Sequence, residues 1–109
     1  MNVHRHLGPG LLESAYEQCL AYELSSSNIP FKSQCTLPVV YKGINIQCGY
    51  RIDFMVDEKV IVELKSIEDL SGIHEAQILT YMKLAKKEVG LLINFNKKFL
   101  IDGIRRCVL

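Results

Sequence analysis

The chain has 109 residues, 49% of them hydrophobic and 23% charged, with a formal net charge of +1. This length supports a single domain over residues 1–109 with one core and excludes two; the composition excludes a disordered chain. The charge gives no global field for a polyanion, so a nucleic-acid partner has to meet a local basic patch.

The first element in chain order is a helix in "GPGLLESAYEQCLAYELSSSNIP". Pro9 and Gly10 open it, and Ser25-Ser26-Ser27-Asn28 before Pro30 closes it. At 100° per residue Leu11, Leu12, Tyr16, Cys19, Leu20 and Tyr22 fall in one apolar arc, with Ala15. Glu13 lies at the margin of that arc. Glu23 lies inside it and is expected to pair with a base such as Arg51.

Three strand-like runs follow: "CTLPVVY", "INIQCGYRIDFMV" and "VIVELKS". A second helix is expected at roughly Ile73 to Glu88. The apolar runs "VGLLINF" and "FLIDGIRRCVL" complete the chain. The order α-β-β-β-α-β-β points to an α/β fold, a mixed sheet flanked by helices.

The run from Val60 to Lys65 is apolar except for Glu63 and Lys65. Strand alternation puts those two on one face with Ile61. On the preceding run Arg51, Asp53 and Met55 share a face. A three-residue turn, Asp57 to Lys59, would pair Val56 with Val60 and set Asp53 opposite Glu63, with Cβ atoms ~4.5–5.5 Å apart. A two-residue turn would pair Asp53 with Val62 and split the acids between faces. The odd-length turn is the expectation here.

Two carboxylates in that position repel and raise one pKa. A divalent cation relieves both effects, and hard oxygen ligands suit Mg²⁺ or Mn²⁺. Lys65 is placed to orient a water or to stabilise charge developing on a phosphate. A structural ion pair at a sheet edge is the plainer alternative for Glu63 and Lys65. On the second helix Gln77 and Tyr81 are i, i+4 neighbours on the arc expected to face the sheet, where a buried glutamine needs a partner. For Tyr81 an ordinary core role is the alternative.

Asp53, then Glu63-x-Lys65, then Gln77-x-x-x-Tyr81 resembles the motif set of the PD-(D/E)XK nuclease superfamily, in its RecB-like branch. The stretch Gly10-x-x-Glu13-x-x-Tyr16, with "PVVYKG", "CGYRIDFMV", "VIVELKS", "HEAQILTYMKL" and "GLLINFN", resembles the GxxExxY family of small bacterial proteins across essentially the whole chain. The resemblance implies a restriction-endonuclease-like α-β-β-β-α-β core. It implies metal ligation by Asp53, Glu63 and the Leu64 carbonyl, with Glu13 as an additional acidic ligand. Lys65 becomes the catalytic lysine, and Gln77, Tyr81 and Tyr16 supporting or substrate-contacting residues. The sequence departs from the superfamily pattern at Ile52, where a proline usually precedes the first acid.

The implied activity is Mg²⁺- or Mn²⁺-dependent hydrolysis of phosphodiester bonds in nucleic acid, DNA before RNA. The alternative is a catalytically silent nucleic-acid-binding or assembly module on the same fold. Lys83, Lys86, Lys87, Lys97, Lys98, Arg105 and Arg106 are candidates for backbone contacts, although a solvated helix face accounts equally for the first three. His4, His6 and His74 are expected in capping or core polar roles. Cys19, Cys35, Cys48 and Cys107 have no C-x-x-C spacing and read as small hydrophobes in a reducing compartment. With no leader sequence and no apolar run near the ~18 residues that span a bilayer, a cytoplasmic protein without a membrane partner is expected. An edge strand leaves room for a homodimer.

Overall fold

The computed structural model describes residues 2–46 and 50–109. Two short helices come first, α1 (Asn2–Leu7) and α2 (Glu13–Ser26). Then follow β1 (Phe31–Thr36), β2 (Val39–Tyr41), β3 (Ile44–Ile46), β4 (Arg51–Val56) and β5 (Val60–Lys65). Helix α3 (Gly72–Ala85) leads to β6 (Val89–Asn94), a 3₁₀ turn at Leu100–Gly103 and β7 (Ile104–Val108).

Five strands form one mixed sheet in the order β1-β4-β5-β6-β7. The β5–β6 pair is parallel, and its crossover is α3; the other three pairs are antiparallel. This is the mixed α/β architecture expected from the order of elements. Strand β5 is central, with paired neighbours on both sides, and its apolar residues fill both faces. Ile61 joins Ile52, Met55, Leu92, Ile78, Tyr81 and Met82 under α3. Val62 and Leu64 join Phe54, Phe95, Val3 and Tyr16 on the side of α1 and α2.

Helix α3 lies close against β6 at Gly90. A Cβ there would come within 2.8 Å of Met82 Sδ and 3.1 Å of Ile78 Cδ1. The absent side chain is what lets the helix approach. Ser71 opens α3, and its backbone N–H donates to His74 Nδ1 at 3.0 Å. His4 is buried, with Nε2 2.6 Å from the Lys97 carbonyl oxygen. These two histidines hold the structural roles expected of them.

Several boundaries differ from expectation. "CTLPVVY" is not one strand: it divides at Leu37-Pro38 into the end of β1 and the whole of β2. Proline supplies no N–H to a ladder, so the strand cannot run through it. "INIQCGYRIDFMV" likewise divides, β3 pairing with β2 in a separate two-stranded sheet and β4 entering the main one. The residues at 47–49 lie outside the described ones, and with them the expectation for Cys48. Helix α2 starts at Glu13 rather than at Pro9, which leaves Leu11 and Leu12 exposed. Tyr22, placed on the inner arc by the wheel, is also exposed. Among the described residues Glu23 forms no ion pair with Arg51.

Candidate active site

The hairpin of β4 and β5 places the central acids. Its connection spans Asp57, Glu58 and Lys59, with Asp57 and Glu58 in the left-handed region at φ 53° and 55°. Lys59 N–H donates to the Val56 carbonyl at 3.0 Å. Val56 then pairs with Val60, Met55 with Ile61 and Phe54 with Val62. This is the register the odd-length turn requires.

The backbone ladder stops one step before the acids, and their side chains continue it. Leu64 N–H donates to Asp53 Oδ2 at 2.8 Å, and Asp53 N–H donates to Glu63 Oε1 at 3.3 Å. On the other edge of β4 the pairing with β1 also skips Asp53, opposite Gln34 at φ 52°. Asp53 therefore sits where both ladders open, and the gap gives its carboxylate access to the backbone of β5. Ile52 packs with Met55 under α3, although simple alternation puts them on opposite faces. The interruption at Asp53 accounts for the break in period.

Glu63 is 5% exposed. Burial first, and the neighbouring Asp53 carboxylate second, push its pKa up to about 9. The Lys65 ammonium acts in the opposite sense with the smallest effect. At neutral pH this shift favours the protonated form of Glu63. Lys65 is half-buried on the same strand face, and its side chain has no hydrogen-bond or ion-pair partner among the described residues.

Tyr81 is buried over this pair from α3. Burial, and next the Glu63 carboxylate, raise its pKa. Gln77 Nε2 donates to the Tyr81 hydroxyl oxygen at 3.1 Å, so the phenolic hydrogen stays free to donate. Gln77 itself is exposed, contrary to its expected place on the buried arc. Ile73, one turn earlier on that arc, is 76% exposed. A helical wheel gives direction only; the sheet begins to cover α3 at Ile78.

Glu13 reaches the end of β5 rather than the acid pair. Its Oε1 accepts the Ser66 N–H at 3.3 Å, and Ser66 Oγ donates to the Leu11 carbonyl at 2.6 Å. Among the described residues no three acidic, histidine or cysteine side chains gather closely enough to form a ready-made metal cluster. The structure thus brings Asp53, Glu63, Lys65 and Tyr81 together and leaves Glu13 just beyond them, at the residue after Lys65. Tyr16 is buried as a brace. Its hydroxyl donates to the Gly8 carbonyl at 2.5 Å and accepts the Leu11 N–H at 3.1 Å, while its ring stacks on Phe95 at 4.4 Å.

One residue of consequence was not singled out from the sequence. Asn94 is fully buried at the end of β6. Its Oδ1 accepts the N–H groups of Ile67 and Asn96 at 3.1 and 3.2 Å, and Nδ2 donates to the Ile67 carbonyl at 2.9 Å. It thereby anchors the chain two residues beyond Lys65. The available signal was an amide inside the apolar run "LLINF".

Comparison with protein families matches residues 1–107 to the PD-(D/E)XK nuclease superfamily. The chain belongs to that superfamily. No curated protein and no solved structure gives a match. The five-stranded mixed sheet with flanking helices is consistent with the PD-(D/E)XK fold. Nucleases of this superfamily generally use divalent metals and act on nucleic acid. No described helix is long and apolar enough to cross a membrane.

Proposed function

We propose that the chain is a single-domain, metal-dependent nuclease over residues 1–109, hydrolysing phosphodiester bonds at the Asp53–Glu63–Lys65 site. The observation that carries this is the carboxylate pair itself. Two neighbouring acids inside the sheet, one of them buried enough to hold its proton, are costly to ionise unless something positive completes them. The donor set suits Mg²⁺ or Mn²⁺: the hard carboxylate oxygens of Asp53 and Glu63, with the Leu64 carbonyl and Glu13, bonded to Ser66 just past Lys65, as the further ligands. When bound, the ion supplies positive charge at a phosphate oxygen and makes a water more acidic.

The chain's own residues do the rest. Asp53 and Glu63 would hold the cation, whose charge would draw a phosphate to the site. Lys65 Nζ donates to the attacking water or to a phosphate oxygen as charge develops there. The Tyr81 hydroxyl, its oxygen already occupied by Gln77, directs its hydrogen toward the same acids. Ile61, Tyr81 and the other apolar residues packed under α3 keep bulk water away from Glu63, which strengthens each of these contacts. Within the superfamily we place the chain with the GxxExxY proteins, on Gly10-x-x-Glu13-x-x-Tyr16 and the hydrogen bonds that Glu13 and the Leu11 carbonyl make to Ser66.

The direct test is cleavage of labelled single- and double-stranded DNA and RNA in Mg²⁺ and in Mn²⁺, by wild type beside Lys65→Ala. Wild-type cleavage that falls by about 10²–10⁴-fold in the variant supports the assignment. Equal cleavage by both removes Lys65 from the chemistry. Binding without cleavage in either metal makes the chain a silent binding module on the same fold.

A further inference from the structure

The small β2–β3 hairpin stands apart from the main sheet, and its side chains are not those of an ordinary solvated turn. Val39 pairs with Ile46 and Tyr41 with Ile44, so these four share one face. Tyr41 is 50% exposed and Ile44 66%. Lys42, at the turn with φ 48°, sets its ammonium 5.4 Å from the centre of the Tyr41 ring. The base of the hairpin is tied to the site: Leu37 N–H donates to the Tyr50 carbonyl at 2.8 Å. The Tyr50 ring, 45% exposed, lies 6.0 Å from that of Tyr81, the residue over the acid pair. From Leu37 to Tyr41 an extended chain spans at most ~13 Å.

Charge is distributed with the same bias. No Asp or Glu occurs between Glu23 and Asp53, while Lys32, Lys42 and Arg51 do. In a chain with twelve acids this is a long acid-free segment, and it contains the whole hairpin.

We infer that Tyr41 and Lys42 on the hairpin, with Tyr50 and Arg51 at its base, form an arm that holds single-stranded nucleic acid by base stacking and leads it to the acid pair. This rests on the nuclease reading for its direction and goes beyond it in naming the substrate class. Exposed rings with adjacent cations match unpaired bases on a charged backbone, since every base has a face to stack. In a duplex those faces are already stacked on one another. A second copy of the chain is a poorer occupant. Two three-residue strands offer far less than the ~800 Å² per partner that a standard interface buries.

The test is fluorescence anisotropy in EDTA, where binding is read without cleavage. The probes are labelled oligo-dT and oligo-U of about twenty nucleotides, and a duplex of the same length. Wild type is expected to hold the single strands more tightly than the duplex. Tyr41→Ala and Tyr50→Ala should each weaken single-strand binding on the order of tenfold. Lys42→Ala should shallow the salt dependence by about one phosphate contact. Tyr41 belongs to neither core cluster and is half exposed, so its variant reports binding even if Tyr50→Ala disturbs Tyr81. Unchanged affinity in Tyr41→Ala overturns the arm, as do tighter duplex binding and no binding of any strand. A dimer that Tyr41→Ala dissociates overturns it in favour of a second copy. The oligo-dT and oligo-U probes together show which sugar is held. The two proposals fail separately: strand binding through Tyr41 without cleavage sinks the nuclease and keeps the arm. Cleavage with binding indifferent to Tyr41 does the reverse.

Discussion

Asn94 holds Ile67 from both sides, accepting its N–H at 3.1 Å and donating to its carbonyl at 2.9 Å. The Phe95 N–H meets the Lys65 carbonyl at 2.9 Å just beside it. The end of β6 therefore fixes the exit of β5, and with it the backbone that carries Lys65. Replacing Asn94 by Ala leaves buried main-chain groups without partners, at ~1–3 kcal/mol each. Asn94→Ala is expected to lower the denaturation midpoint and to reduce cleavage further than its stability loss explains. Equilibrium unfolding and cleavage assays at a temperature where the variant is fully folded separate the two effects.

Gly103 packs on the same residue. A Cβ there would lie 2.1 Å from the Asn94 carbonyl oxygen, and that oxygen belongs to backbone that cannot move aside cheaply. Gly103→Ala should destabilise the protein by ~1–3 kcal/mol through overpacking. A thermal melt within experimental error of wild type would show that β6 has more freedom here than the packing allows.

The proton on Glu63 makes stability depend on pH in a defined direction. Its folded pKa, about 9, stands above the ordinary value of 4.5. The folded state therefore binds a proton that the unfolded state has released between those values. The contribution is complete below 4.5 and is lost progressively as pH rises toward 9. In EDTA, stability should fall across that window. Glu63→Gln, which imitates the protonated form, should flatten the fall. With Mg²⁺ the wild type should regain stability at the alkaline end, because the ion takes the proton's place, and Glu63→Gln should lose most of that gain. Urea titrations at several pH values, with and without Mg²⁺, measure all three.

Tyr81 and Gln77 are separable by single substitutions. Tyr81→Phe keeps the ring in the core cluster with Ile78 and Met82 and removes only the hydroxyl that Gln77 holds. Cleavage is expected to fall by on the order of a hundredfold, with stability changed by less than ~1 kcal/mol. Gln77→Ala, exposed and acting through the tyrosine, should cost less. Equal losses in kcat for the two variants would indicate that Gln77 meets the substrate directly.

The acid pair was legible in the sequence because it depends on local rules. Asp57-Glu58-Lys59 is a turn, its length fixes register, and register decides whether Asp53 meets Glu63. The same local rules failed where context decides. The strand β2 continues the period of β1 past Pro38, so the small hairpin was hidden inside two longer runs. Helix α1 has six residues, too few to show a period. Gln77 has the correct wheel angle, yet there is no sheet beneath it. Asn94 was passed over because its partner, Ile67, lies 27 residues away and no spacing rule connects them.

That separation has a temporal consequence. Asp53 and Leu64 are 11 residues apart, joined by a tight hairpin, and local contacts of this kind form early. The parallel docking of β6 must wait for α3 to be made and to cross over. A chain still leaving the ribosome thus has its two acids side by side while the lysine next to them is unanchored. On the proposed nuclease reading, the backbone that carries Lys65 is fixed only once Asn94 and Phe95 have docked, so a partly synthesised chain lacks the finished site.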